Sequence, residues 1–150
     1  GKMKEVVESL KVHDIAMHMQ GTPKTMQQSP FYVDVVSEVY DYLGHVSDQC
    51  TDAGIAEVII DPGFGFGKSV AHNFSLLRSM EKFKALKRPV LAGLSRKSMI
   101  CRSLNVTPAN ALNGTTALNM VALQQGADIL RVHDVREAWE TIELFQLLQN

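Results

Sequence analysis

The sequence predicts an α/β fold in which parallel strands alternate with helices. Four short apolar runs are typical of strands that are buried on both faces, at residues 15–19, 58–61, 90–94 and 129–133. A helical pattern lies between each run and the next, and such alternation with right-handed crossovers gives a parallel sheet. Four βα units form half of a (β/α)₈ barrel, which we expect here, and a small doubly wound sheet is the alternative.

Each helical segment is predicted from its apolar period and its end signals. Ser29 and Pro30 are typical of an N-cap and a first helical residue, and Gly54 ends that helix. Further helices are expected at residues 73–86, at 115–125 before Gly126, and at 135–149. The residues expected on the buried faces of the first and last helices are Val33, Val36, Tyr40, Leu43, Val46, Trp139, Ile142 and Phe145.

The first residues predict a helix that has already begun. Glu5, Val6, Val7 and Leu10 follow a helical period, and no N-capping residue precedes them. We therefore expect a fragment, with residues 1–150 forming one part of a single domain.

Composition limits the classes of partner. The chain has 150 residues, 45% of them hydrophobic and 21% charged, with a net charge of −1. A near-neutral charge argues against nucleic acid as a partner. Apolar runs shorter than the roughly 18 residues of a membrane span, and the absence of a signal-peptide pattern, predict a cytoplasmic protein that does not enter a membrane.

Polar residues cluster where the predicted strands end. Asp61 closes the second strand, Ser95, Arg96 and Lys97 follow the third, and Arg131 and His133 lie on the fourth. Active sites of (β/α)₈ barrels are built at this carboxyl-terminal rim. The alternative is that Asp61, Lys97 and Arg131 only neutralise one another as ion pairs, since a buried charge is costly without a partner.

The glycine-rich segment after Asp61 resembles a phosphate-binding P-loop without matching it. The P-loop pattern has four residues between its glycines, whereas Gly63 and Gly67 are separated by three, before Lys68. Glycines also allow the backbone to approach a flat ligand closely. With Phe64 and Phe66 as aromatic faces, the segment favours a planar heterocycle whose N–H groups meet a carboxylate.

Two further groupings are predicted from strand parity. Gly93, Ser95 and Lys97 are expected to share one face of the third strand. Arg131 and His133 share a face just before a helix, a combination typical of a phosphate site. No histidine or cysteine spacing supports a metal site in this chain.

Four motifs together resemble the dihydropteroate synthases, in order and with compatible spacing. They are the segments at residues 17–27 (MHMQGTPKTMQ), 61–68 (DPGFGFGK), 94–100 (LSRKSMI) and 131–135 (RVHDV). The resemblance covers essentially the whole chain and implies strands five to eight of that family's TIM barrel. It further implies condensation of 6-hydroxymethyl-7,8-dihydropterin diphosphate with p-aminobenzoate, which gives dihydropteroate and diphosphate for folate biosynthesis.

The resemblance also implies a role for each matched residue. The pterin would be bound by Asp61, Lys97, Met17, Phe66 and Gly93, the p-aminobenzoate by Ser95, Lys97 and Phe66, and the diphosphate by Arg131 and His133. The resemblance also implies a Mg²⁺ ion whose ligand lies in the absent amino-terminal half, and a parent protein that is a homodimer and belongs to a family targeted by sulfonamides.

Two other functions are alternatives to the synthase. A pterin-binding corrinoid methyltransferase shares the fold but is not expected to carry Ser95, Arg96 and Lys97. The alternative outside the enzymes is that the chain alone is a non-catalytic, self-associating half barrel with residual pterin or phosphate binding. A half barrel would expose sheet edges and an open core, which favour association. We expect no turnover from the chain alone.

Overall fold

The computed structural model describes residues 13–22, 29–55 and 57–150. The predicted helix near Leu10 and residues 23–27 of the first motif lie outside these ranges. The described residues contain four strands, all parallel: β1 (Asp14–Met17), β2 (Val58–Asp61), β3 (Leu91–Ala92) and β4 (Ile129–Leu130). The predicted α/β class is therefore confirmed, and β2 has the predicted bounds.

The strands lie side by side in chain order. β1 pairs with β2, β3 pairs with β4, and a parallel bridge between Ile60 and Val90 joins the two pairs. The amide of Ile60 also donates to the carbonyl of Pro89 at 2.9 Å. A doubly wound sheet requires a reversal of strand order, and the four described strands show none.

Five α-helices and two 3₁₀ helices connect or follow the described strands. The α-helices are α1 (Val35–Asp52), α2 (Val70–Arg78), α3 (Ser98–Leu104), α4 (Leu112–Gln124) and α5 (Val135–Gln149), and the 3₁₀ helices are Met80–Leu86 and Pro108–Asn110. The bounds of α5 were predicted correctly. Helix α3 was not predicted, because seven residues are too few for a clear apolar period.

The start of α1 was predicted wrongly. Asp34 caps this helix, and its carboxylate accepts hydrogen bonds from the amides of Val36 and Ser37, whereas Ser29 and Pro30 precede the helix. The buried stripe is correspondingly different from the predicted one. Val36, Tyr40 and Val46 only border the core and Val33 is exposed, while the buried residues are Val35, Val39, Leu43, Ser47 and Cys50. Both stripes have the spacings of three and four residues that place side chains on one face of a helix, so the spacing alone does not decide which face is buried.

The second predicted helix is in fact two elements. Helix α2 begins at Val70, after the N-cap Ser69, and ends at Arg78, after which the 3₁₀ helix follows. Met80 and Phe83 of the 3₁₀ helix are fully buried. The glycine end signal was confirmed at Gly126, which has a φ of +91° after α4.

The predicted burial of the last helix was wrong at Trp139, which is 60% exposed. Helix α5 packs on α4 and buries Ala138 and Thr141. Trp139 directly follows Ala138, and one residue is about 100° of rotation in a helix, so its side chain lies outside that contact. Ile142 and Phe145 are only half-buried.

The main core lies between the strands and the helices that follow them. It includes the fully buried side chains Leu43, Val58, Ile60, Phe83, Val90 and Leu94. None of the helices in the described ranges is long and apolar enough to cross a membrane.

Candidate functional site

Asp61 is the last residue of β2, and its side chain is only 1% exposed. Its Oδ1 accepts a hydrogen bond from the amide of Gly63 at 2.8 Å. Its Oδ2 is buried without a hydrogen bond from the described residues, although Arg131 Nη2 lies 3.5 Å away as an ion pair. A buried carboxylate oxygen without a donor is costly, so this atom is suited to accept a hydrogen bond from a ligand.

Arg131 follows β4, and its position depends on Gly93. A Cβ atom at Gly93 would lie 3.1 Å from both Nε and Nη2 of the guanidinium. The absence of a side chain at residue 93 thus lets Arg131 lie against the end of β3 and reach Asp61. The ion pair expected under the neutralisation alternative is therefore present for Asp61 and Arg131, whose side chain is still 52% exposed.

Lys97, which follows β3 in the sequence, contacts the glycine-rich loop that follows β2. Its ammonium donates to the carbonyl of Phe64 and lies 4.8 Å from the centroid of the Phe66 ring, within cation–π range. Burial lowers the pKa of Lys97 to about 8, while Asp61 raises it and Arg131 lowers it. The chain thus brings Asp61, Phe66, Lys97 and Arg131 together, although they are distant in the sequence.

Ser95 and His133 bind each other. Ser95 Oγ lies 2.8 Å from His133 Nδ1 and accepts from the His133 amide at 3.2 Å. This contact holds the segment after β3 to the segment after β4. Because Nδ1 is engaged, Nε2 is the ring nitrogen that remains for a ligand.

The prediction that Gly93, Ser95 and Lys97 share one face of a strand was wrong, because these residues do not lie in a strand. β3 ends at Ala92, Arg96 has a left-handed φ of +55°, and Lys97 is the N-cap of α3. The alternation of side chains applies only to extended backbone. The three residues therefore have different contacts.

Met17, the last residue of β1, is paired in register with Asp61. The two residues therefore lie side by side at the same edge of the sheet. Within the described ranges, no group of three or more His, Cys, Asp or Glu side chains is arranged to hold a metal ion.

The glycine-rich loop does not present its amides as a phosphate cradle. The amide of Gly63 donates to Asp61, that of Gly65 donates to Asn73 Oδ1 at 2.8 Å, and that of Phe66 donates to the Gly63 carbonyl at 3.1 Å. Lys68 is 3% exposed and donates to backbone carbonyls. These donors are used within the protein, whereas a P-loop directs them at phosphate.

Arg96 forms a clamp that was not predicted. Its guanidinium donates to both carboxylate oxygens of Asp134, at 2.9 and 2.8 Å, and to the carbonyls of Pro108 and Ala109. Its amide donates to Thr115 Oγ1 at 3.0 Å. One residue thus ties the end of β3 to the starts of α4 and α5. The adjacency of Arg96 to Lys97 and of Asp134 to His133 was the only sequence signal.

Asn73 and His72 were also missed as supports of the loop. Asn73 accepts from Gly65 and donates to the carbonyl of Ser69 at 2.8 Å. His72 forms a capping box with Ser69 at the start of α2. This role is hard to predict, because a Ser followed three residues later by His is not the usual capping-box pair.

The fold and the site together define a class of protein, namely a parallel α/β domain with polar side chains gathered at the carboxyl ends of its strands. The sequence model of the family described as pterin binding enzyme matches residues 1–133. The chain belongs to this family.

Curated relatives support the same assignment. The chain is 48% identical over 132 residues to the dihydropteroate synthase of Escherichia coli strain K12, covering 87% of this chain and 47% of that protein. It is 46% identical over 136 residues to the Haemophilus influenzae synthase, covering 89% and 50%. The predicted resemblance to dihydropteroate synthases is thereby confirmed. The chain spans about half the length of these relatives.

Solved structures superimpose on nearly all of the chain. Yersinia pestis dihydropteroate synthase in a sulfonamide drug complex has a TM-score of 0.96 at 39% identity, covering 99% of this chain and 55% of that one. Thermus thermophilus dihydropteroate synthase has been solved in complex with 6HMPPP and with 4-aminobenzoate. Both structures have a TM-score of 0.95 at 38% identity. Each match covers 99% of this chain, together with 60% of the first Thermus chain and 62% of the second.

Proposed function

We propose that this chain is the carboxyl-terminal half of the pterin-binding barrel of a dihydropteroate synthase. Residues 1–150 would supply strands five to eight of a (β/α)₈ barrel and form part of one domain. The consecutive order of the four parallel strands supports a barrel, and the synthases matched above support the activity. Those relatives favour the synthase over a corrinoid methyltransferase.

The observation that carries the proposal is the buried Oδ2 of Asp61, which accepts no hydrogen bond from the described residues. A pterin presents adjacent donors, a ring N–H and an exocyclic amino group, along one edge. A carboxylate at the base of a rim site matches such an edge, because hydrogen bonds to an ionised acceptor are about twice as strong as neutral ones.

The neighbours of Asp61 suit the remaining edges of a flat ring. Lys97 would donate to the carbonyl edge of the pterin and help to position p-aminobenzoate. Met17, Phe66 and Gly93 would line the slot, since Met17 lies beside Asp61 in register and Phe66 lies beneath the Lys97 ammonium. Phe66 and Ser95 would also border the p-aminobenzoate.

The chemistry requires no protein nucleophile. The bond between the pterin methylene carbon and the diphosphate oxygen breaks, and its electron pair leaves with the diphosphate. The amine nitrogen of p-aminobenzoate forms the new C–N bond with its lone pair and loses a proton. Arg131 and His133 would bind the leaving anion, because cations already in place stabilise the charge as it develops.

Three further features of the parent protein belong to the proposal. Mg²⁺ would be held from the other half of the barrel and neutralise part of the diphosphate charge. The parent protein would be a cytoplasmic homodimer and a target of sulfonamides.

The test compares the 150-residue chain with the intact gene product that carries it. We expect the intact gene product to form dihydropteroate from hydroxymethyl dihydropterin diphosphate and p-aminobenzoate, and the 150-residue chain alone to form none. A mass near twice that of the chain is expected for the intact product. Turnover by the chain alone would show that these residues suffice, and an intact product that binds no pterin would refute the proposed function.

A second candidate function is a non-catalytic, self-associating half barrel. The exposed apolar side chains of α5 favour it, namely Val135, Trp139, Leu144, Leu147 and Leu148. Sedimentation of the 150-residue chain distinguishes the candidates: a stable oligomer that binds pterin without turnover supports the second, and catalytic turnover excludes it.

A further inference from the structure

Lys68 places a charged group in the interior of the rim. The side chain is 3% exposed, and its ammonium donates to the carbonyls of Gly63 at 2.9 Å, Phe66 at 3.0 Å and His18 at 3.4 Å. Among the described residues this ammonium has no ion-pair partner within contact distance. Burying an ammonium costs free energy unless its hydrogen bonds are made, and here three carbonyls satisfy them.

The three acceptors belong to the segments that carry the proposed pterin residues. His18 directly follows Met17 at the end of β1, Gly63 lies two residues after Asp61, and Phe66 is itself a proposed pterin contact. One ammonium therefore joins the end of β1 to both arms of the loop that follows β2.

The backbone of the loop and the backbone after β1 lie unusually close together. A Cβ atom at Gly63 would come within 1.8 Å of the His18 carbonyl oxygen, and one at Gly67 within 2.4 Å of the Gln20 carbonyl oxygen. Both glycines also have positive φ, of +72° and +66°. The two backbones are too close for a side chain at residue 63 or residue 67. The Lys68 ammonium, which bonds to carbonyls of both segments, therefore links them.

We propose that Lys68 is a positioning residue for the pterin site, which holds the backbone beside Met17, Asp61 and Phe66 at a fixed separation without touching the ligand. This inference rests on the proposed function and deepens it. Burial lowers the pKa of Lys68 to about 7, an effect that Asp61 opposes and Lys97 strengthens, and the three carbonyl acceptors favour the ammonium form. The carbonyl dipoles stabilise the cation in place of water.

The test uses the intact gene product with Lys68→Met, which keeps the length of the side chain and removes its donors. Lys82→Met, the same change at an exposed lysine of the Met80–Leu86 3₁₀ helix, is the matched control. We expect Lys68→Met to weaken binding of 6-hydroxymethyl-7,8-dihydropterin roughly 10- to 100-fold, as displaced positioning groups do. The KM for the pterin diphosphate should rise far more than the KM for p-aminobenzoate.

Two further readouts separate positioning from general stability. Amide hydrogen exchange should increase in residues 63–68 and stay unchanged in α5. Lys68→Arg, which keeps a cation with several donors, should recover part of the pterin affinity. If Lys68→Met does not fold, Lys68→Gln, which keeps two N–H donors without the charge, is tested with the same readouts.

The outcomes distinguish this inference from the function on which it rests. If the parent protein binds the dihydropterin and the Lys68 variant binds it equally well, the positioning role is wrong and the proposed function stands. If the two KM values rise together, or Lys82→Met has the same effect, the role is also wrong. A parent protein that binds no pterin overturns both.

Discussion

The guanidinium of Arg131 lies 3.5 Å from the buried Oδ2 of Asp61, close enough to pair in charge yet without a hydrogen bond. The pair joins the ends of β2 and β4, which are separated by β3 in the sheet. Asp61 is buried while half of the Arg131 side chain is exposed. The carboxylate therefore lies beside a cation that can still contact an anionic ligand from outside.

The first prediction concerns this carboxylate. Asp61→Asn in the intact gene product should weaken binding of 6-hydroxymethyl-7,8-dihydropterin about 10- to 100-fold, since it removes charge-assisted hydrogen bonds to the ring. Isothermal titration calorimetry measures the dissociation constant. Asp41→Asn, at an exposed carboxylate of α1, is the control and should leave binding unchanged. An unchanged affinity in Asp61→Asn would remove this residue from the pterin site.

The second prediction concerns the space at Gly93. The methyl group in Gly93→Ala would lie 3.1 Å from Arg131 Nε and Nη2, so the flexible guanidinium should move away from Asp61 while the fold is retained. Binding of inorganic diphosphate, measured as product inhibition, should weaken on the order of fivefold, as expected for a displaced surface cation.

Gly44→Ala is the matched control for Gly93. Its methyl group would meet only Leu86 Cδ2, at 3.3 Å, and it lies within α1. Inhibition by diphosphate should be unchanged in that variant. Equal inhibition constants in Gly93→Ala and the parent would contradict the placement of Arg131 at the diphosphate.

The third prediction concerns the clamp between Arg96 and Asp134. The hydrogen bonds from Arg96 lower the pKa of Asp134 below its ordinary 3.8. A carboxylate whose pKa is lowered by folding stabilises the protein above the unfolded pKa, and this contribution is lost as the pH falls through the folded value. Arg96→Gln should thus lower the melting temperature at pH 7, and the difference from the parent should shrink below pH 4.

A double-mutant cycle checks the clamp. If the two residues act through each other, Asp134→Asn and Arg96→Gln together should destabilise little more than one change alone. Arg136→Gln serves as the control, because its pair with Glu140 is an exposed i, i+4 contact. Additive losses of stability would mean that Arg96 acts through its carbonyl contacts instead.

How much the sequence predicts depends on the kind of signal each residue carries. Asp61 was placed correctly at the end of a strand, because a charge after a continuous apolar run marks a rim position in parallel sheets. The start of α1 was misplaced because Ser29-Pro30 and Asp34 are both good start signals. The hydrogen bonds that the Asp34 carboxylate accepts from the amides of Val36 and Ser37 decide between them.

Lys68 and Arg96 show why the rest was not predictable. Both have backbone carbonyls among their acceptors, and any residue can supply a carbonyl, so no sequence pattern marks the partner. The acceptors of Lys68 extend to His18, which is 50 residues away, and Arg96 reaches Asp134 across 38 residues. The fold brings such groups together, whereas local periodicity does not. The positive φ of Arg96 is likewise imposed by its tertiary contacts.

The last prediction uses the lowered pKa of Lys97. Burial lowers this pKa to about 8, so the side chain is a cation at neutral pH and loses its charge as the pH rises through that value. If the ammonium donates to the pterin carbonyl, affinity for 6-hydroxymethyl-7,8-dihydropterin should fall above pH 8, by at most about tenfold per pH unit. Calorimetry from about pH 6.5 to 9.5 measures this dependence. Steps of about 0.5 pH units are fine enough to resolve a single ionisation.

Lys97→Met isolates the contribution of this one ammonium. Titration of the ligand itself is common to the parent and the variant, so the ratio of their dissociation constants reports the lysine alone. That ratio should be large at pH 6.5 and should approach one above pH 9, because the parent has then lost the charge that the variant lacks throughout. The exposed Lys82→Met should give a ratio near one at every pH. A Lys97→Met ratio that is constant with pH would show that the lysine contributes by packing over Phe66 and not through its charge.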